Sequence, residues 1–376
     1  MSLAIAGMGW ITPLGNGVDP VWEQLLQDRE APPTKIAEQF SSRSYSVFRV
    51  PDSALASSPP HPRLRRASVI SRFAAAAGLE ALQAAGVKVD PQNAERMAVV
   101  FAISNGGVIY TKRFYRDIVE AGAQSASPLL FPETVFNAAA SHLAAILGIT
   151  GATYTLVGDS AVGLLAIKMA EDLMMNEALD HCLVVGAEEV DWLLCDAYRR
   201  WRLLRLAPPV EPFTTTRRGM ILSEGAGAIL LAREGSITLE QTHGGGHYGR
   251  RADAGGILKR ILSDLTQTAI DFVISSANGT FIDEAEYAAL QQIIPDSLVY
   301  TAKPALGESV GAAGLWQVIL GAQGLRRGEL PPLLHVSPSI QLHVPVSRTP
   351  LPRARHSVVL SCGVNQQVAG LRLSRQ

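Results

Sequence analysis

The sequence is poor in cysteine and in net charge, and it has no long apolar run. Its three cysteines, Cys182, Cys195 and Cys362, lie too far apart for a zinc-type spacing, which disfavours both a metal site and a disulfide framework. The formal net charge of −1 gives no general attraction to nucleic acid or to an acidic membrane. Because no apolar run approaches about 18 residues and no basic leader opens the chain, we expect a cytoplasmic protein without a membrane span.

Short apolar stretches alternate with helical patterns along the chain. With 376 residues, 47% of them hydrophobic, the chain can bury one large core or two fused halves. The alternation predicts an α/β fold with parallel sheets covered by helices on both faces. Strands are predicted at 3–8, 98–104, 154–157, 181–186, 227–232, 272–276 and 357–361, helices at 18–26, 68–85, 257–265, 284–293 and after residue 160, and mostly loop at 31–62.

The stretch around Ser160 is the strongest candidate for a functional site. A β-branched and aliphatic run ends at Gly158-Asp159, and from Ser160 onward apolar residues recur at helical spacing. A side chain at such a turn lies at a helix N-terminus, where unpaired backbone N–H groups and the helix dipole favour developing negative charge. Nucleophiles are often placed this way. The alternative is that Ser160 only caps the helix, which serine does well.

Further motifs occur in a fixed order along nearly the whole chain. They are LAIAGMGWITPLG at 3–15, SNGG at 104–107, NAAA at 137–140, PFTTTRRG at 212–219, SEGAGA at 223–228 and KPALGESVGAAG at 303–314. Together with the turn at Ser160, they resemble the motifs of the β-ketoacyl synthases, which are thiolase-like condensing enzymes. The resemblance implies a five-layered α-β-α-β-α fold built from two similar halves, residues 1–235 and 236–376, with a boundary near Gly235.

The chain departs from the family pattern at the reacting side chains. By the resemblance, Ser160 stands where these enzymes have their nucleophilic Cys. Asn278 and Glu308 stand where they have their two His residues. Val364 stands where they have a gating Phe. The resemblance therefore implies that the whole Cys-His-His set has been exchanged.

The exchanged residues are poorly suited to the condensation reaction. A helix N-terminus can make a Cys largely thiolate, but a serine needs a neighbouring base. Asn278 accepts no proton usefully, and an ionised Glu308 about 4 Å from a malonyl carboxylate would be repelled by about 4 kcal/mol at an effective dielectric near 20. Lost condensing activity is thus favoured over a new mechanism. We also expect Lys303 and Glu308 to form an internal ion pair.

A synthase-like chain without the catalytic set resembles a chain length factor. Such a subunit pairs with an active β-ketoacyl-ACP synthase in type II polyketide or aryl-polyene-like systems and shapes its acyl tunnel. The resemblance implies a heterodimer, with substrates carried on the phosphopantetheine of an acyl carrier protein and with no cofactor, metal, nucleic acid or membrane partner. The candidate pocket residues are Lys303, Val364, Phe136, Phe114 and Tyr110, for whose aromatic members core packing is the alternative.

Two basic clusters are candidates for carrier-protein contact. Arg63, Arg65 and Arg66 open one helix, and Arg199 and Arg200 crowd a second stretch with Arg202 and Arg205. Basic clusters steer acidic partners, although a solvated helix face is an equal alternative.

Two other functions remain open on the sequence. The first is an acyltransferase or thioesterase that acts through Ser160 and Glu308 on carrier-protein thioesters. The second is a homodimeric pseudoenzyme that has no ketosynthase partner.

Overall fold

The computed structural model describes residues 2–56, 61–65, 67–214, 219–337 and 340–376. Arg66 and the RR of the 212–219 motif, at 217–218, lie outside the described residues. Among the described helices, none combines the length and the apolar character that crossing a membrane requires.

The secondary structure alternates strands and helices. The strands are β1 (Leu3–Thr12), β2 (Gly15–Asn16), β3 (Pro33–Ala37), β4 (Ser44–Phe48), β5 (Met97–Ile103), β6 (Thr153–Val157), β7 (His181–Glu188), β8 (Gly225–Ala232), β9 (Ile237–Thr242), β10 (Gly246–His247), β11 (Phe272–Ile274), β12 (Leu298–Tyr300), β13 (Glu329–Leu330), β14 (Thr349–Pro350), β15 (His356–Cys362) and β16 (Gln367–Arg375). The α-helices are α1 (Val18–Leu26), α2 (Ser53–Ala56), α3 (Val69–Ala84), α4 (Val108–Ala121), α5 (Ala138–Leu147), α6 (Val162–Met174), α7 (Trp192–Arg200), α8 (Ala254–Leu265), α9 (Phe281–Ile293), α10 (Lys303–Leu306) and α11 (Val310–Arg327). Short 3-10 helices lie at Pro62–Arg65, Ala94–Arg96, Ala123–Ser125, Phe131–Thr134 and Arg251–Asp253.

Two groups of five strands follow the same order. The first group runs β1-β8-β7-β5-β6 and the second runs β9-β16-β15-β11-β12, so each places its first strand beside its fifth, then its fourth, second and third. The groups are joined where β1 pairs with β9 in antiparallel register. Gly235 lies between β8 and β9, at the passage from one group to the other. This repeated strand order is what makes the two halves of the chain structurally similar.

Each group is mixed, so the prediction of parallel sheets is wrong in part. Strands β6, β5 and β7 are parallel, but β8 is antiparallel to both β7 and β1. The second group repeats this pattern, with β16 antiparallel to β15 and to β9. The connection from β15 to β16, residues 363–366, is too short for the crossover that a parallel pair needs.

Helices cover and separate the two groups of strands. Helices α3 and α5 pack on the first group, and α8 packs on the second with α9 against it. Helices α6 and α11 contact strands of both groups and form the middle layer. Every residue from Val310 to Leu325 of α11 is buried, because a helix between two sheets has no solvent face. The expected five-layered arrangement is confirmed.

Two predicted segments differ from the structure. The stretch 31–62, predicted mostly as loop, contains the β3–β4 hairpin and the short α2. β3 is almost wholly exposed while β4 is buried, so neither strand shows the alternation that the sequence pattern would need. The aromatic segment before Phe136 contains α4, and none of the residues of α4 is buried.

Candidate functional site

Ser160 lies in the turn between β6, which ends at Val157, and α6, which begins at Val162. Its side chain is only 1% exposed, and its hydroxyl donates to Glu308 Oε1 at 3.1 Å. The N-cap residue of α6 is Ala161, and no side chain caps that helix. The alternative in which Ser160 only caps the helix is therefore wrong, since its hydroxyl is turned toward Glu308.

Glu308 is the centre of a buried polar cluster. Its carboxylate is 1% exposed and accepts three hydrogen bonds, from Ser160, from Asn278 Nδ2 at 2.8 Å and from Lys303 Nζ at 2.7 Å. The predicted ion pair between Lys303 and Glu308 is thus present, with both partners buried. Three donors, one of them an ammonium, are the surroundings that an ionised carboxylate needs in a protein interior.

Local structure aims Asn278 at this carboxylate. Its backbone N–H donates to Asp283 Oδ1 at 2.8 Å, and its carboxamide oxygen accepts from Thr280 Oγ1 at 2.7 Å. Thr280 is also the N-cap of α9. Because the carboxamide oxygen is already bonded to Thr280, the amide nitrogen is the end that faces Glu308.

The turn before Glu308 requires a glycine. Gly307 has a φ of +77°, and a Cβ there would lie 2.9 Å from the ring of Phe48 and from Ser223 Cβ. The backbone N–H of Glu308 donates to Ile221 O at 2.8 Å, which fixes the carboxylate-bearing residue to the segment before β8. The glycine that precedes Glu308 in the 303–314 motif is therefore required for steric reasons.

The polar groups of the cluster form hydrogen bonds with one another, which leaves few donors or acceptors for a substrate. The hydroxyl proton of Ser160 points at a carboxylate whose two oxygens are already engaged by Lys303 and Asn278. A carboxylate that is neutralised by an ammonium is a weak base, and a carboxamide is none, so no group in the cluster is poised to activate the serine.

Asp159 is buried and points toward the loop 363–367. Its Oδ2 accepts from the backbone N–H of Asn365 at 2.8 Å, and its Oδ1 accepts from Ala161 N–H at 3.3 Å. The carboxylate occupies the space above Gly363, where a Cβ would lie 1.9 Å from Oδ2. Burial raises the pKa of Asp159 to about 6, although these backbone donors oppose the rise.

A cavity of about 810 Å³ lies on the other side of this loop. Asp159 and Val364 line it, together with the aromatic side chains of Tyr198, Trp201 and Tyr248. Ser160, Asn278 and Glu308 are not among its lining residues. The predicted pocket residue Val364 thus lines a cavity that does not reach the Glu308 cluster.

The aromatic candidates lie elsewhere, on and near α4. Tyr110 is half-buried and its hydroxyl donates to Ala67 O at 3.4 Å, and burial raises the pKa of this phenol. Phe114 is also half-buried and packs against Tyr115 and Phe131. Phe136 is 46% exposed and lies over Gly106, whose Cβ position is 3.1 Å from its ring. None of these three predicted pocket residues lines the 810 Å³ cavity.

The predicted carrier-protein residues differ in how free they are. Arg63 and Arg65 are exposed on a 3-10 helix, whereas Arg66 lies outside the described residues. Arg199 and Arg200 both reach Asp196, at 3.5 and 2.6 Å, and Arg200 remains well exposed. Arg205 is buried and forms an ion pair with Glu211 at 3.0 Å, so its charge is not presented at the surface.

Sequence analysis missed three residues that surround the site. Gln367 Oε1 accepts from the backbone N–H of Asp159 at 3.0 Å, and the Tyr248 hydroxyl donates to Gly363 O at 2.6 Å. Glu188 accepts from the backbone of Ser104 and of Gly311, both at 3.2 Å. The one sequence signal that could have indicated these contacts was Asp159, the acidic residue directly before the candidate nucleophile Ser160. No group of three or more His, Cys, Asp or Glu in the described ranges is placed to hold a metal ion.

Comparison with known families gives matches over most of the chain. The model of the beta-ketoacyl synthase N-terminal domain matches residues 2–236, and the model of the C-terminal domain matches residues 241–337. The resemblance that the motifs indicated is thereby confirmed.

Individual relatives are distant but cover nearly the full length. Nodulation protein E of Rhizobium leguminosarum bv. trifolii is 26% identical over 357 residues, which are 88% of this chain and 88% of that protein. The 3-oxoacyl-(acyl-carrier-protein) synthase 2 of Vibrio cholerae serotype O1 is 24% identical over 371 residues, or 89% and 88% of the two chains. The solved ishigamide ketosynthase/chain length factor superposes with a TM-score of 0.87 at 21% identity, over 100% of this chain and 99% of that one, which shows a shared fold.

Proposed function

The chain belongs to the β-ketoacyl synthase family, and we propose that within it this protein is a non-catalytic, chain-length-factor-like partner of an active β-ketoacyl-ACP synthase. In this proposal Ser160, Asn278 and Glu308 replace the family's Cys-His-His set. The partner supplies the reacting side chains, and the present chain shapes the partner's acyl tunnel during polyketide or fatty-acid-type elongation.

The observation that carries this proposal is the bonding of the Glu308 cluster. Ser160, Asn278 and Lys303 all donate to one buried carboxylate, so each polar group is satisfied inside the protein. A condensing site instead needs an activated nucleophile and donors aimed at a thioester oxygen. The cluster is better suited to filling the interior of the fold than to binding a reacting group.

Two exposed elements, β6 and α4, support a subunit partner, and we refer to their exposed residues together as the β6–α4 face. β6 is the last strand of its group, and its residues Tyr154 and Val157 are 42% and 51% exposed. An unpaired edge strand with apolar side chains is a template for pairing with another chain. Helix α4 has no buried residue, and Leu129, Phe131 and Phe136 are exposed in the segment after it. Such a combination of exposed edge and aromatic surface fits burial against a second subunit.

The aromatic residues near α4 are the proposed determinants of chain length. Tyr110 and Phe114 are half-buried on α4, and Phe136 is half-exposed over Gly106. Bulky, stiff rings on an interface are suited to closing the end of a tunnel that belongs to the partner. We assign the substrates to the phosphopantetheine arm of an acyl carrier protein, because the Vibrio relative is a 3-oxoacyl-(acyl-carrier-protein) synthase.

Basic surface residues are the proposed contacts with that carrier protein. Arg63 and Arg65 are exposed, and the Arg200 side chain is largely exposed although it bonds Asp196. Exposed guanidinium groups would increase the rate of encounter with an acidic carrier protein.

The decisive experiment follows acyl transfer and decarboxylation by mass. The purified chain is incubated with acyl- and malonyl-carrier protein, alone and with a candidate ketosynthase, and intact masses and carbon dioxide release are recorded. We expect adducts and decarboxylation only on the ketosynthase, with a change of product length when the present chain is added. An acyl adduct on the present chain that Ser160→Ala removes would refute the proposal.

A serine acyltransferase is the second candidate function. The 3.1 Å hydrogen bond from Ser160 to Glu308 is the observation that favours it, because a carboxylate can in principle accept the serine proton. The Lys303 ammonium opposes it, since the same carboxylate oxygen already accepts a hydrogen bond from that charged donor. The adduct on Ser160 described above separates the two functions.

A further inference from the structure

The loop 363–367 is fastened to the rest of the protein from two sides. On one side, Asp159 Oδ2 accepts from Asn365 N–H at 2.8 Å, and Gln367 Oε1 accepts from Asp159 N–H at 3.0 Å. On the other side, the Tyr248 hydroxyl donates to Gly363 O at 2.6 Å, and its backbone N–H donates to Gln366 O at 3.1 Å. The segment 363–367, which is the four-residue connection between β15 and β16 together with the first residue of β16, is thus held by four hydrogen bonds from outside its own hairpin.

The loop and Asp159 together separate Ser160 from the cavity of about 810 Å³. Asp159, Val364, Asn365 and Gln367 line that cavity, whereas Ser160 does not and is 1% exposed. The Asp159 carboxylate lies against Gly363, so it fills the space that a side chain there would take. Access from the cavity to Ser160 therefore requires the loop to leave Asp159.

We propose that Asp159, Gln367 and Tyr248 form a latch that keeps the 363–367 loop closed over Ser160. The latch is a property of this chain's own side chains: it excludes acyl thioesters and other electrophiles from Ser160 by blocking access, in addition to any lack of a base. Releasing it opens a path from the cavity to residue 160. The inference does not depend on the proposed function, because a closed loop can be tested without a partner or a carrier protein.

Access to residue 160 is measured with a cysteine reporter. Ser160→Cys is alkylated with iodoacetamide, and the adduct is followed by intact mass and located by peptide mapping. The native Cys182, Cys195 and Cys362 are free and buried, so they give a low background. Cys362 adjoins the loop, and the same latch variants without Ser160→Cys measure any alkylation at that position.

Two charge-neutral variants give the sharpest test. Tyr248→Phe removes one donor to the loop, and Gln367→Ala removes the acceptor for Asp159 N–H. In the Ser160→Cys chain, each is expected to raise the alkylation rate about fivefold, the equilibrium effect of one lost hydrogen bond. Tyr287→Phe is the matched control: its hydroxyl donates to Gln341 on the surface at 3.4 Å, and its rate should not change.

Asp159→Ala removes the acceptor for the loop's Asn365 N–H and should raise the rate at least about tenfold, because a hydrogen bond to a carboxylate is worth more than a neutral one. Loss of a negative charge also favours the thiolate of residue 160. Acceleration by Asp159→Ala alone, with Tyr248→Phe and Gln367→Ala unchanged, would therefore be an electrostatic effect and would overturn the latch. Rapid alkylation of Ser160→Cys with the latch intact would overturn it as well.

Hydrogen exchange of the unmodified chain supplies a second measurement if Asp159→Ala does not fold. The amides of 363–367 should be protected in the wild-type chain and should lose about fivefold protection in Tyr248→Phe, while α11 keeps its own. Equal exchange in the two chains would contradict the proposal.

Discussion

The Glu308 cluster and the β6–α4 face have opposite physical character. In the cluster, buried polar groups satisfy one another, and Ser160 and Glu308 are each 1% exposed. On the face, apolar groups are left uncovered, with Tyr154 and Val157 about half exposed and a helix that has no buried residue. In the proposed function, this contrast between a site that is complete inside and a surface that is incomplete outside means that the chain acts through its surface. The following predictions, in order of expected size, test that contrast.

The largest effect should come from breaking the ion pair inside the cluster. Lys303→Met leaves the buried Glu308 carboxylate without its neutralising charge, which costs about 3–5 kcal/mol of unfolding free energy. Lys303→Met combined with Glu308→Leu removes both charges and should recover most of that loss. Urea unfolding of the three chains measures the effect. Equal stability of Lys303→Met and wild type would show that the cluster does not hold the fold together.

The second effect concerns Glu188, a buried acid that accepts hydrogen bonds from Ser104, ahead of α4, and from Gly311, just after Glu308. Burial raises the pKa of Glu188 from 4.5 to about 8, and one of its oxygens has no hydrogen-bond partner among the residues the structure describes. Because the folded pKa lies above the unfolded value, the folded state binds more protons between about pH 4.5 and 8, and stability is lost as the pH rises through that window. Glu188 alone should lower the unfolding free energy by about 3 kcal/mol between pH 5 and 8.

Glu188→Gln is the control for that pH dependence, since a carboxamide does not ionise. It should reduce the fall, leaving the parallel contributions of other buried acids: Glu189 and Glu286, whose pKa values burial raises to about 7, and Asp159 and Asp283, whose pKa values burial raises to about 6. Denaturant titrations at four pH values measure the slope. A slope that Glu188→Gln leaves unchanged would remove Glu188 as its source.

A third effect concerns the exposed face. Val157→Asp places a charge on the edge strand and should weaken association with a partner subunit at least about tenfold, because a desolvated charge would be buried unpaired. Folding should change by less than about 0.5 kcal/mol, since the residue is half exposed in the free chain. Val346→Asp, at a valine that is 80% exposed elsewhere, is the matched control.

Native mass spectrometry of mixtures with a candidate ketosynthase measures the association of these variants. Equal loss of binding in Val157→Asp and Val346→Asp would contradict the proposal that the β6–α4 face binds the partner subunit.

The smallest effect is expected at Ser160 itself. Ser160→Ala removes one hydrogen bond to a carboxylate that keeps two other donors, so unfolding free energy should fall by about 1 kcal/mol. Product formation by a reconstituted complex should be unchanged. A loss of product on this substitution, with stability preserved, would place Ser160 in the chemistry and reverse the contrast between the two regions.

Much of the fold was predictable because its signals are local. The bounds of α1 were predicted at both ends, and the helix predicted at 68–85 matches α3 to within one residue at each end. The strand, turn and helix around Ser160 follow from apolar spacing. The β3–β4 hairpin was missed because burial affects only one of its strands, and burial depends on distant residues such as Asp196, which bonds Tyr45 at 3.1 Å.

The candidate site was predictable in its members and in the Lys303–Glu308 ion pair, but not in the rest of its bonding. The motifs identified Ser160, Asn278 and Glu308. The structure brings them together, although Ser160 is 148 positions and Asn278 is 30 positions from Glu308 along the chain. Tyr110, Phe114 and Phe136 were predicted for the pocket, yet they lie on or near α4 and away from the cluster. Aromatic residues carry no sequence signal that separates an internal pocket from an uncovered surface.

The sequence by itself determined the family, the order of strands and helices in most places, and the candidate site residues Ser160, Asn278 and Glu308, because these depend on residue types and on short-range periodicity. Only the tertiary structure decided that Ser160 and Asn278 both donate to Glu308, that Asp159 turns to the 363–367 loop, and that α4 has no buried residue. Each of these depends on how segments far apart in the chain approach one another. Burial and charge pairing at those approaches decide the chemistry of the site, and local sequence does not encode them.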